Sequence, residues 1–168
     1  MSSRPTELLF LPHFNGSGTP YCDFSARGTV LGLTLSTGKY DVARALLEGL
    51  AMESKLNAER FEKIGIAVGD IRCVGGGASH PKALQIKADV LERPVSVMEN
   101  REAASLGAAV IALSGMGYFK TVGDGVKELV KVRKTYEPRR VFALEYREKF
   151  DLYCRFYQAL RPVYKEWR

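Results

Sequence analysis

Three consecutive glycines, Gly75-Gly76-Gly77, sit in the stretch of this sequence best suited to chemistry. A short apolar run with β-branched residues, Ile71-Arg72-Cys73-Val74, leads into them, and Ala78-Ser79-His80-Pro81 leads out into an amphipathic segment. The pattern predicts strand, tight turn and helix. Glycine lets a backbone approach a ligand where a Cβ would collide. The start of the next helix offers unpaired N–H groups and the positive end of its dipole, which suits a phosphate. A nucleotide site is one reading of this turn; tight strand-to-helix packing is the other.

Two familiar phosphate loops are excluded. The dinucleotide fingerprint Gly-x-Gly-x-x-Gly is met at Gly75 and Gly77 but has His80 in its third position. The Walker pattern fails around Gly38-Lys39, where Leu33 and Tyr40 replace the required Gly and Ser/Thr. Metal chemistry finds no support either. Cys22, Cys73, Cys154, His13 and His80 are too dispersed to form a ligand or redox spacing, which points to no metal site and to a reducing, cytoplasmic setting.

The elements that must position the turn follow from periodicity. Leu8 to Phe14 reads as a strand running into the breaker-rich loop Asn15 to Pro20. Gly28 to Leu35 reads as a second strand interrupted at Gly32, reached through a hairpin-like turn in which Asp23 and Arg27 pair. A long helix opens at Asp41 and stops at Gly65, with Leu47, Leu50, Ala51, Ser54, Ala58 and Phe61 as its buried face. Glu48 beside that face reads as an exposed or ion-paired carboxylate.

After the glycines, Lys82 to Leu91 forms a helix burying Ala83, Ile86 and Val90, and Pro94 to Met98 a short strand. A helix of small residues starts at Glu99-Asn100-Arg101-Glu102; Gly107 inside it costs about 1 kcal/mol of helix propensity, which close approach of another backbone would offset. Asp124 to Lys134 reads as a short basic helix. The last helix, from Glu145, carries an aromatic docking stripe of Tyr146, Phe150, Tyr153 and Tyr157 with Leu160, and Pro162 ends or kinks it. A three- to four-stranded mixed sheet flanked by helices results.

A chain of 168 residues, 46% apolar and 26% charged, suits one globular domain behind a loose leader at residues 1–7. No apolar run approaches the ~20 residues needed to span a bilayer. The net charge of +6 arises in residues 127–168, which hold 12 Lys/Arg against 6 Asp/Glu. With no motif or aromatic–basic groove beside it, that excess reads as a solvated face rather than a nucleic-acid site.

Taken together, five blocks in order resemble the C-terminal domain of the FGGY carbohydrate kinases, which share the actin-like ATPase (ribonuclease H-like) fold. They are Phe10 to Pro20; Gly28 to Leu33 with Asp41 to Glu48; Gly75-Gly76-Gly77-Ala78; Gln85 to Leu91 with Pro94-Val95; and Glu102 to Ala109. The likeness runs over residues 8–160 and implies an α/β C-terminal lobe occupying residues 8–168. The implied activity is ATP-dependent phosphorylation of a sugar, ketose or polyol hydroxyl, with ATP/ADP as cofactor and Mg²⁺ in the complete enzyme. By the same resemblance Gly75, Gly76, Gly77, Ala78, Ser79 and Pro81 bind the nucleotide, and the helix around Gly107 matches the connection between the two lobes. Ser79-His80-Pro81 is closer to xylulokinase-like sequences than to glycerol kinases.

In that family the general base is an aspartate of the N-terminal domain, which also supplies the sugar site; the resemblance implies that this chain begins after it. No catalytic residue is assigned: Asp23, Asp70 and Asp89 stand at the wrong positions. In-line phosphoryl transfer needs both halves of the cleft, so the chain alone is expected to be inactive and to meet the sugar only with the other lobe. The alternative is a non-catalytic interaction module of the same fold that self-associates through an exposed apolar wall around Ala103 to Ala112.

Overall fold

The computed structural model describes residues 4–167. Its strands are β1 (Leu9–Leu11), β2 (Thr29–Leu31), β3 (Ile71–Cys73), β4 (Val95–Met98) and β5 (Val132–Tyr136). Its helices are α1 (Lys39–Lys63), α2 (Pro81–Leu91), α3 (Ala103–Gly115), α4 (Val122–Leu129) and α5 (Ala143–Glu166). β1 and β2 form an antiparallel pair with Leu9 opposite Leu31. β3 pairs parallel with β4, Ile71 opposite Val95, and β5 closes the other edge antiparallel, Ser96 opposite Thr135. The mixed sheet is thus three-stranded, with the hairpin as a separate sheet.

The expected helix over 124–134 divides into two elements. α4 stops at Leu129 and Val132–Tyr136 pairs with β4. Arg133, Lys134 and Thr135 are solvated on this edge strand, so no alternation of polar and apolar residues advertises it. α5, by contrast, docks as its stripe requires: Tyr146, Phe150, Tyr153 and Tyr157 are buried against Leu9, Leu11, Met52, Ile86 and Val90. Pro162 lies inside this helix, which continues to Glu166.

α1 buries part of the expected face, with Ala51 and Ala58 buried and Leu47 packed on the core, but not its outer large side chains. Leu50 and Phe61 remain about half exposed, at 47% and 49%, while Ala45, Gly49, Ala51, Met52 and Leu56 are buried. The reason is contact through small residues: a Cβ on Gly49 would lie 2.2 Å from the Phe10 carbonyl oxygen, so only glycine lets α1 rest on β1.

Glu48, on the same turn, is buried and ion-paired rather than exposed. It accepts from Arg44 Nε at 2.7 Å, Lys149 Nζ at 2.6 Å, Tyr146 Oη at 3.1 Å and Thr6 Oγ1 at 3.1 Å. That network corrects the loose-leader expectation. Thr6 is tied down through its backbone N–H to Glu48 and its carbonyl to Lys149, whereas residues 1–3 lie outside the described residues. No described helix is long and apolar enough to cross a membrane.

Candidate functional site

β3 delivers the chain to the glycine turn at the end of the three-stranded sheet. Gly75 adopts φ +72, in the left-handed region that favours glycine, and donates its N–H to the Arg101 carbonyl at 2.8 Å. Gly76–Ser79 then form one 3₁₀ turn, with the Ala78 N–H on the Gly75 carbonyl at 3.1 Å. The Ser79 hydroxyl turns back onto the Gly76 carbonyl. Pro81 opens α2, and His80 occupies the N-cap without a side-chain cap, so the helix start presents uncapped amides.

A Cβ at Gly75, Gly76 or Gly77 would meet nothing within 4 Å. Side-chain contacts among the described residues therefore do not require the glycines, although the φ of Gly75 does. Gly76, Gly77, Ser79 and Pro81 are exposed on the open side. Ala78 instead points inward, 5% exposed, against a cluster that includes Leu84, Ala88 and Val95.

Beside the turn lies a crevice of about 120 Å³, lined by Val74, Met98, Asn100, Gly107, Val110 and Lys131 among others. A larger cleft of about 630 Å³ opens elsewhere, between residues 4–9 and α5. Two of its charges are engaged in ion pairs, Arg4 with Glu145 at 3.5 Å and Lys149 with Glu48 at 2.6 Å, and it lies away from every predicted site residue. The candidate site is therefore the glycine turn.

The excluded aspartates have structural partners. Asp23 accepts from Ser25 Oγ at 2.6 Å and Tyr157 Oη at 2.9 Å; the Ser25 hydroxyl first, with help from Tyr157, holds its carboxyl below the usual range. The anticipated Asp23–Arg27 pair does not form, because Arg27 donates to the carbonyls of Phe24, Ser25 and Ala26. Asp70 meets Arg72 at 3.4 Å near the surface. Asp89 is buried and takes Arg139 Nη2 at 2.6 Å and the Arg139 N–H at 2.8 Å. With Lys149 on Glu48 and Arg147 on Glu92, part of the C-terminal cationic excess serves internal ion pairs.

The residues missed from sequence are 99–102, expected to begin the third helix. α3 starts only at Ala103, and the preceding link supplies the Arg101 carbonyl to Gly75. Asn100, a residue type favoured in turns, was the available signal. The close backbone approach expected at Gly107 is also not made by this chain. Nothing lies within 4 Å of a Cβ there, and Val110 is the buried residue of an otherwise largely exposed α3.

The profile of the FGGY family of carbohydrate kinases, C-terminal domain, matches residues 1–116. A xylulose kinase of Staphylococcus epidermidis is 32% identical over 159 residues, which is 95% of this chain and 31% of that protein. A glycerol kinase of Ligilactobacillus salivarius is 37% identical over 138 residues, 82% of this chain and 27% of that protein. Among solved structures, the xylulose kinase of Rhodospirillum rubrum superposes with a TM-score of 0.84 at 30% identity, covering 98% of this chain and 33% of that one. The chain thus spans about a third of the length of the proteins it matches, and its α/β architecture is that of sugar kinases with the actin-like ATPase fold.

Proposed function

Because the chain belongs to the FGGY family of carbohydrate kinases, matching its C-terminal domain, we propose that it is the ATP-binding lobe of a kinase that phosphorylates a sugar, ketose or polyol hydroxyl. The observation that carries this reading is the open glycine turn, where three successive residues lack side chains and, among the described residues, nothing lies within 4 Å of where a Cβ would stand. Gly75, Gly76 and Gly77 let the backbone approach the nucleotide, Ala78 anchors the turn from the buried side, and Ser79 and Pro81 flank the adenosine. The uncapped start of α2 favours the phosphates by its amides and dipole.

ATP supplies the transferred phosphoryl group when bound; this chain's residues bind and orient it. Mg²⁺ would accompany the nucleotide's phosphates; among the described residues no group of three or more His, Cys, Asp or Glu side chains is placed to hold a metal. The ion would be held through the nucleotide or the other lobe. The chain alone is inactive on this reading, because acceptor and γ-phosphate must be aligned by two walls and the sugar-binding wall belongs to a second lobe. A ketose such as xylulose is favoured by Ser79-His80-Pro81 and by the xylulose kinase relatives, and the setting is cytoplasmic. An ADP-release assay with ATP, Mg²⁺, xylulose and glycerol tests the claim: no turnover above the no-sugar rate is expected, and robust turnover would overturn it.

A second reading rests on α3. Ile111 is 63% exposed on a helix of mostly small apolar residues, and Met116, just past its end, is 82% exposed. That surface favours association with a second lobe or a second copy, which light scattering at increasing concentration would reveal.

A further inference from the structure

The link between β4 and α3 carries three hydrogen bonds that the nucleotide reading does not use. The Asn100 side-chain oxygen accepts the Glu102 N–H at 2.9 Å, closing a local turn. Inside that turn the two carbonyls diverge. Arg101 gives its oxygen to the Gly75 N–H at 2.8 Å, and Glu102 gives its oxygen to the Leu106 N–H at 3.0 Å, the first bond of α3. One side chain thus fixes a backbone segment that faces the glycine turn on one side and starts the exposed helix on the other.

Burial shows why so small a device matters. Val110 is the buried residue of α3, so few packed side chains set where the helix begins. Gly75, at φ +72, is held across the strand end through its own N–H. Asn100, Val74 and Gly107 also line one crevice of about 120 Å³, which lies on the seam between turn, link and helix. Polar bonds rather than core packing therefore hold this junction, and each such bond adds only modestly to stability.

We infer that Asn100 is a positioning residue for the glycine turn, and that the link it shapes couples the turn to the first turn of α3. The inference rests on the glycine turn being the nucleotide site. A ligand that orders Gly75–Gly77 strengthens the Gly75–Arg101 bond and, through Glu102, the start of α3. Linkage makes the effect reciprocal: whatever holds α3 in place tightens nucleotide binding. Asn100 touches no ligand in this scheme.

Amide exchange by NMR on the full 168-residue chain tests this without a nucleotide. Asn100→Ala should speed exchange of the Gly75 amide about tenfold relative to amides in α5, and Asn100→Asp, whose carboxylate still accepts from Glu102, should restore protection. In the same preparations, titration with ADP should give a Kd about three- to tenfold higher for Asn100→Ala. ADP should also slow exchange over 103–107 in the parent chain and not in that variant. If the folded Asn100→Ala chain exchanges Gly75 at the parental rate, the positioning role is overturned. If Gly75 responds to Asn100→Ala but the parent chain does not bind ADP, the positioning role stands and the nucleotide reading falls.

Discussion

Lys149 reaches from α5 to place its Nζ 2.6 Å from Glu48 Oε2 on α1, and the same ammonium binds the carbonyl and hydroxyl of Thr6. Burial dominates the Lys149 pKa and lowers it despite Glu48. The pair therefore acts as a buried clasp joining α1, α5 and the segment entering β1. Removing one member of a buried pair leaves the other incompletely compensated. Lys149→Met should cost about 3 kcal/mol in urea unfolding and expose the Thr6 amide to exchange. Unchanged stability together with retained Thr6 protection would contradict the clasp.

Glycine substitutions should divide by their surroundings. Gly49→Ala drives a Cβ to 2.2 Å from the Phe10 carbonyl oxygen and should destabilise by about 3 kcal/mol. Gly75→Ala meets no atom but must hold φ +72, for a cost of about 1–2 kcal/mol. Gly107→Ala, in open space on a helix, should stabilise by up to about 1 kcal/mol. Thermal melts of the three variants check the order; a destabilising Gly107→Ala would reveal a contact this account lacks.

Alkaline pH should unfold the domain through its aromatic stripe. Burial is the main cause that raises the phenol pKa of Tyr146, Tyr153, Tyr157 and Tyr164; Glu48, Glu53 and Asp23 add to it at the first three. A raised folded pKa contributes stability that is full below the unfolded value of about 10 and is lost as pH rises above it. Lys149 works the other way, since its depressed pKa makes stability rise toward about pH 10.5. Four phenols outweigh one ammonium, so Tm should fall between about pH 10 and 11.5. Phenolate absorbance from these four tyrosines should appear only with unfolding; their ionisation in a still-folded chain would contradict the prediction.

At low pH the signs reverse for carboxylates. The Arg147 guanidinium beside Glu92, then Lys55, holds that carboxyl below its ordinary value, and the Ser25 hydroxyl does so for Asp23. Their contribution is present above the unfolded carboxylate range and lost as pH falls below about 4. Arg147→Met should flatten the acid limb of a stability-against-pH curve; an unaltered limb would remove Glu92 from the explanation.

Legibility in the sequence followed the physics of each element. The α5 stripe was readable because large aromatics at helical spacing meet one continuous core. The glycine turn was readable because backbone freedom is encoded by residue type. On α1 the expected face was right at Ala51 and Ala58 and incomplete elsewhere, because contact also runs through Gly49 and a buried ion network around Glu48, neither of which has an apolar signature. β5 escaped because an edge strand with solvated Arg133 and Lys134 resembles a basic helix. The Asn100 link was hidden because its role lies in main-chain carbonyl directions, which residue types leave open.

Calorimetric titration of ADP into the 168-residue chain and its Gly76→Val variant tests the central claim most directly. A Cβ at Gly76 meets no atom of the protein, so the variant should fold normally while its side chain obstructs the approach of a nucleotide to the turn. The parent chain should bind ADP saturably, and Gly76→Val should abolish that binding with an unchanged thermal melt. A folded parent chain that takes up no ADP, or a Gly76→Val chain that binds it equally well, would contradict the claim.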